Sequence, residues 1–319
     1  MVFRFLILSR AKNKKDIPIG DKETSKIATH ITQFKLVKLD LSSEQIEKKS
    51  GNFLFVFSVV FALPSIEFVW KANLCLKKKI ESRISWQNFS KLLEALQSSI
   101  AVKVIRASEN NFLDNRYFQA MAQFLLQNRS IEEVSLDGNH MGMFAVSALS
   151  PGLSANKSLK RLYLFNNEIN GKSCLMTLAN AIVSNAYLEE LSLSNNRIDD
   201  VSIVSFATIL TSEVSKCNLR HLYLSSNRIG NMGAIQIFKL LSLETINLSR
   251  NTNIDDNAIS LICENYNPNS NWKQICLERC TLTDKSALLF LEILISNYSI
   301  QNLLISGFAF LNFINNKKQ

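Results

Sequence analysis

A repeat constrains this chain more than any other feature. The pattern L-x-x-L-x-L-x-x-N-x-L opens at residues 102, 131, 159, 188, 219, 243, 272 and 300, in steps of 29, 28, 29, 31, 24, 29 and 28. Leu159, Leu162, Leu164, Asn167 and Ile169 fill one copy, and Leu188, Leu191, Leu193, Asn196 and Ile198 fill the next. Within the L-x-L segment successive side chains face opposite ways, so the leucines share one side and the intervening residues the other. The asparagine ends the strand, where its amide can satisfy backbone groups at the turn. Asn110, Asn139, Asn167, Asn196, Asn227 and Asn251 are therefore expected to form a structural ladder, with Cys280 taking the same place in a later copy.

Each copy continues into a helical stretch such as YFQAMAQFLLQN or SALLFLEILISN, whose apolar residues recur at three and four. Ala120, Phe124 and Leu125 show this spacing in one helix, and Leu288, Leu291 and Leu294 in another. Asp199, Asp255 and Asp284 stand where helix N-caps are useful, and capping accounts for the pairs Asp199-Asp200 and Asp255-Asp256. A shortened helix over 232–241 accounts for the step of 24. One copy cannot bury its apolar face alone. Stacking gives an α/β solenoid shaped as a horseshoe, with a parallel β-sheet on the concave face and helices on the convex face.

Copies of 28–29 residues with a strand-turn-helix pattern resemble the ribonuclease-inhibitor-like class of leucine-rich repeats. The resemblance covers about residues 100–306, with weaker cover from 36. That class includes ribonuclease inhibitors, the repeat halves of NOD-like receptors, tropomodulins and Ran GTPase-activating proteins. It specifies the fold and hardly the function. No P-loop is present, which excludes a complete NOD-like receptor. The sequence ends Asn-Asn-Lys-Lys-Gln, where Ran activators typically carry an acidic tail.

The net charge of +9 suggests an anionic partner until its distribution is considered. Residues 1–100 hold 17 Lys+Arg against 9 Asp+Glu, whereas residues 101–319 hold 19 against 18. The basicity belongs to the N-terminal third. It is read as a solvated leader over 1–30, expected to be disordered, followed by degenerate repeats over 31–100 and the repeat domain over 101–319. A ninth copy is placed at Leu36, Leu39, Leu41 and Ile46. Phe53–Leu63 interrupts the period as an apolar insertion. Its eleven residues are too few to span a bilayer and suit a buried helix or strand. Six scattered cysteines and a start too short for a secretory signal suit buried free thiols in the cytoplasm. Five N-x-S sequons, including Asn128 and Asn247, are taken as chance in an Asn- and Ser-rich chain.

No catalytic motif, metal-ligand spacing or cofactor loop is found, and the chain is read as a non-enzyme with no metal and no cofactor. The outward strand residues offer a binding surface instead. Arg106, Arg161, Tyr163, Phe165, His221 and Tyr223 are its anchors, since Tyr and Arg are enriched at interface hot spots. Glu133, Asp137 and Glu190 flank them and are expected to select a partner with basic groups. The function expected is a monomeric protein-interaction scaffold binding an unidentified protein, with neither nucleic acid nor membrane as a partner. Two alternatives are a GTPase activator resembling the Ran activators and a membrane-tethered adaptor using Phe53–Leu63.

Overall fold

The computed structural model describes residues 4–7, 38–42, 55–59, 66–71, 85–212, 217–296 and 299–305. The chain divides into two compact units, Met1–Tyr163 and Leu164–Gln319. Most of the expected leader and of Phe53–Leu63, and the polar end after Ile305, lie outside the described residues.

The first unit contains strands β1 (Arg4–Ile7), β2 (Lys38–Ser42), β3 (Phe55–Val59) and β4 (Ile66–Lys71), then helix α1 (Trp86–Leu96). It continues through β5 (Val102–Ser108), α2 (Arg116–Gln127), β6 (Glu133–Ser135), α3 (Met143–Ala155) and β7 (Arg161–Tyr163). From β4 onward the strands are parallel, and β2 is parallel to β4. Strand β3, inside the apolar stretch, instead runs antiparallel to β1 and β2. The register joins Ile105 to Val134 and Val134 to Leu162, the same motif position in three copies, and all three are fully buried. Behind them Phe89, Phe112 and Phe118 are buried, and the Phe112 ring stacks on Tyr117 at 4.2 Å. Each such buried side chain contributes roughly 1.5–3 kcal/mol. Helices α2 and α3 approach so closely at Gly152 that a Cβ there would overlap the backbone of Ala122.

The second unit alternates helix and strand throughout: α4 (Lys172–Val183), β8 (Glu190–Ser192), α5 (Asp200–Leu210), β9 (His221–Tyr223) and α6 (Asn231–Phe238) come first. Then follow β10 (Thr245–Asn247), α7 (Asp256–Glu264), β11 (Gln274–Leu277), α8 (Asp284–Ser296) and β12 (Asn302–Ile305). All five strands are parallel, with Leu191, Leu222, Ile246, Ile275 and Leu303 in one row. The 24-residue step corresponds to α6, which is only 8 residues long. Next to it the large Trp272 takes the first leucine place, edge-on to Phe238 at 5.0 Å and 2% exposed.

Helix α8 departs from its expected phase. Leu288 is 66% exposed, and Ser286, Phe290 and Ile293 face the core instead. Asp284 lies in the first turn of α8, where Thr283 receives the Lys285 and Ser286 N–H groups. The cap therefore sits one residue earlier than expected.

Candidate functional site

Two features fix the backbone at the strand ends, where the outward side chains are displayed. The first is the asparagine row. Asn227 accepts from the N–H groups of Asn196 (2.9 Å) and Ile198 (3.0 Å), and its amide donates to Leu193 O (3.0 Å) and Leu224 O (2.9 Å). Asn196 and Asn251 repeat the arrangement in the second unit, and Asn139 repeats it in the first toward Asn110 and Ala107. Asn167 donates to Phe165 O at 3.3 Å. Cys280 substitutes by donating its thiol to Leu248 O (3.4 Å) and accepting from the Asn251 backbone. The second feature is a left-handed residue just before the asparagine: Glu109, Gly138, Asn166, Asn195, Ser226, Arg250 and Arg279 all have φ near +60°. This turns the N–H toward the next copy, as in Ser226 N to Ser249 O at 2.8 Å.

In the first unit the strand face is ionic. Glu133 is 6% exposed and bridges Arg106 (2.6 Å to Oε1) and Arg161 (3.0 Å to Oε2). The face therefore presents the guanidinium groups, each about a third exposed, and the carboxylate between them, expected from the sequence to select a partner, is closed off. Ser108, Ser135 and Asp137 form a hydroxyl relay, with Ser135 Oγ 2.7 Å from each of its partners. One residue before Val104, Glu133 and Arg161, which pair in register, Glu132 bridges Lys103 (3.2 Å) and Lys160 (3.3 Å). Burial alone would raise the Glu132 pKa, but the two lysines outweigh it and hold the carboxyl below its ordinary value. Tyr163 is half-buried.

In the second unit Phe165 is 45% exposed, and Glu190, His221 and Tyr223 are half-buried. The register sets Glu190 beside His221, and His221 Nδ1 lies 2.9 Å from Thr245 Oγ1. Burial first, and then the charge of Glu190, pushes the Tyr223 phenol up. Cys276, an outward position by pattern, is 4% exposed, with Gln274 Nε2 3.5 Å from its sulfur. Here too the preceding positions alternate in charge: Glu244 lies between Arg220 (3.6 Å) and Lys273 (2.7 Å). The Lys273 hydrogen bond, outweighing burial, lowers the Glu244 pKa.

Several organising residues escaped the reading of the sequence. Asp199 and Asp255 cap their own helices, but Asp200 Oδ1 accepts from Gly230 N (2.7 Å) and Gly233 N (2.9 Å) of the following copy. Asp256 does the same toward Thr283 and Ser286. A second asparagine row runs where helices return to strands. Asn128, 1% exposed, donates to Leu96, Gln97 and Ser99 carbonyls and accepts from Ser130 and Ile131 N–H groups. Asn156 and Asn185 repeat it. The N-x-S matches at Asn128 and Asn156 are thus this row, whose signal is N-x-x-[IL] at the repeat spacing. Asn297 lies outside the described residues.

Among the described residues no cluster of His, Cys, Asp and Glu could hold a metal ion, and no helix is long and apolar enough to cross a membrane. Residues 184–207 and 215–238 match the family model described as Leucine Rich repeat. This match and the strand-turn-helix copies with their asparagine row define the class: the chain is a leucine-rich-repeat protein with an α/β solenoid fold. No curated protein sequence matches it. Among solved structures it is similar to leiomodin-1 actin-binding site 2, with 21% identity, 50% of this chain and 86% of that one covered, and a TM-score of 0.41. It is similar to TLR13 in complex with ssRNA13, with 15% identity, 74% and 33% coverage and a TM-score of 0.40. It is also similar to the yeast Rad7 and Elc1 complex, with 15% identity, 64% and 57% coverage and a TM-score of 0.38.

Proposed function

We propose that this chain is a non-catalytic scaffold that binds a protein partner through the outward side chains of its strands. The observation that carries the proposal is that each unit has a fixed strand face with aromatic or guanidinium groups left partly open: Arg106, Arg161 and Tyr163 in one unit, and Phe165, His221 and Tyr223 in the other. Their backbone is fixed by the asparagine row, so little conformational entropy is lost on binding. Glu133, Asp137 and Glu190 shape this surface, Glu133 by orienting the two arginines.

The repeats are proposed to be of the ribonuclease-inhibitor-like kind, since complete helices separate strands spaced mostly 28–29 residues apart. The domain division at about residues 30 and 100 belongs to the same proposal. A cytoplasmic monomer is the proposed state. Burial drives the Cys174 and Cys280 thiols up to about 11, as suits inert core thiols, and the sequon side chains of Asn128 and Asn156 are closed off by hydrogen bonds.

The test is quantitative affinity capture with the full chain and its Tyr163→Ala/Phe165→Ala/Tyr223→Ala variant. A partner held by the wild type is expected to be lost by the variant while the thermal melt is little changed. Equal recovery by both proteins refutes the strand face as the binding surface.

A further inference from the structure

Two groups of cations stand out in the second unit. Arg220 and Lys273, on the strand face, share Glu244. Arg197, Arg228 and Arg250 lie elsewhere, on the turn edge: the first two directly follow the row asparagines Asn196 and Asn227, and the third directly precedes Asn251. They come from three consecutive copies, all are exposed, and none takes part in an ion pair among the described residues.

The acids nearest in sequence do not answer them, because their carboxylates are engaged by helix starts and neighbouring turns. Asp199 caps α5 at Ser202, Asp200 holds Gly230 and Gly233, and Asp255 holds Asn257 and Asn231. The edge itself is rigid. Arg228 N donates to Ile198 O at 2.8 Å, Arg250 N donates to Glu278 O at 2.7 Å, and Arg197 and Arg250 hold left-handed φ of 60° and 61°. Adjacent parallel copies are about 5 Å apart, so the backbone positions of the three arginines are spread over roughly 10 Å across the strands.

We infer that this turn edge docks a short acidic segment of a protein partner, carboxylate against guanidinium. Three observations favour that occupant. Residues 164–305 carry 10 Lys+Arg against 13 Asp+Glu, so the unit as a whole repels a long polyanion, whereas this edge has Arg197, Arg228 and Arg250 against the exposed acid Glu168, which follows Asn167. The residues among the arginines, Asn195, Ser226 and Thr252, supply amide and hydroxyl groups but no ring on which a base could stack. The chain's own N-terminal hundred residues are basic, 17 against 9, and do not complement the edge. The inference rests on the scaffold reading only in taking the ligand to be a protein, and it uses a different surface.

The experiment is fluorescence anisotropy on the full chain. The probes are a labelled peptide of about twelve residues alternating Glu and Ser, its Lys/Ser counterpart, an oligothymidylate of similar length, and phosphatidylserine vesicles. The Glu peptide is expected to bind, to weaken with added salt, and to lose about tenfold in affinity in R197Q/R228Q/R250Q. The Lys peptide is expected not to bind. The Tyr163→Ala/Phe165→Ala/Tyr223→Ala variant is expected to bind the Glu peptide as the wild type does, which separates this inference from the strand-face proposal. Thermal melts of both variants check that they fold, and R197K/R228K/R250K, which keeps the charge, is expected to retain most of the binding. Absence of Glu-peptide binding, equal binding by the Gln variant, or tighter arginine-dependent binding of the oligonucleotide or the vesicles overturns the inference.

Discussion

Replacing Asn227 with alanine is the sharpest test of what holds the copies together. The side chain is 8% exposed and makes four well-formed hydrogen bonds, two accepted from Asn196 and Ile198 and two donated to Leu193 and Leu224. In the alanine variant two N–H groups of fully buried residues lose their acceptor. Each buried unsatisfied donor costs about 1–3 kcal/mol, and the two carbonyls keep other partners or lone pairs, so the expected loss is about 3–4 kcal/mol. Asn227→Cys is the informative companion, because Cys280 already performs both roles through sulfur, donating to Leu248 O and accepting from Asn251. Sulfur bonds are weaker, and the cysteine variant is expected to lose about half as much as the alanine variant. Urea denaturation followed by circular dichroism gives the totals. Since a solenoid opens by local interfaces, hydrogen exchange at Asn196 and Ile198 locates the loss. An alanine cost under about 1 kcal/mol, or a cysteine variant no better than alanine, would refute the account of the asparagine row.

Three further outcomes are expected. Gly152→Ala forces α3 away from the Ala122 backbone and is expected to cost about 3 kcal/mol, read as a lowered urea midpoint at unchanged m-value. Asp200→Ala leaves Gly230 N and Gly233 N without their acceptor and is expected to speed hydrogen exchange at the start of α6 before it affects α4. Glu132 and Glu244 titrate below their unfolded values, so their contribution is present above the unfolded pKa of about 4.3 and is lost as pH falls through the folded one. Urea midpoints measured down to acid pH should therefore fall less steeply in Glu132→Gln/Glu244→Gln than in the wild type.

The period alone made the strand row readable, because a buried leucine every repeat leaves the same mark whatever lies between. Ile105, Val134 and Leu162, and then Leu191, Leu222, Ile246 and Ile275, occupy one register each, as the alignment of copies requires. The row asparagines were readable for the same reason. What stayed hidden depends on contacts one repeat away. Asp200 looks like half of a capping pair, yet it serves the next helix. Asn128 and Asn156 look like chance sequons, yet each closes the loop of the preceding copy. Glu133 looks like an open acid until its neighbours at 27 and 28 residues' distance are seen to be Arg106 and Arg161. Leu288 misled because a repeated apolar spacing does not set helix phase by itself: in an apolar helix more than one stripe fits, and packing chose Ser286, Phe290 and Ile293.

The alternating charges beside the strands bear on how such a chain can gain or shed copies. Arg220, Glu244 and Lys273 come from three successive copies and form one bonded series. Excising the middle copy would bring Arg220 up against Lys273, two cations where a bond had been. Excising the copies of Arg220 and Glu244 together would instead set Glu189, at the same position of the copy before, against Lys273, opposite signs. Duplication obeys the same parity, so length changes in twos preserve the series and length changes in ones break it.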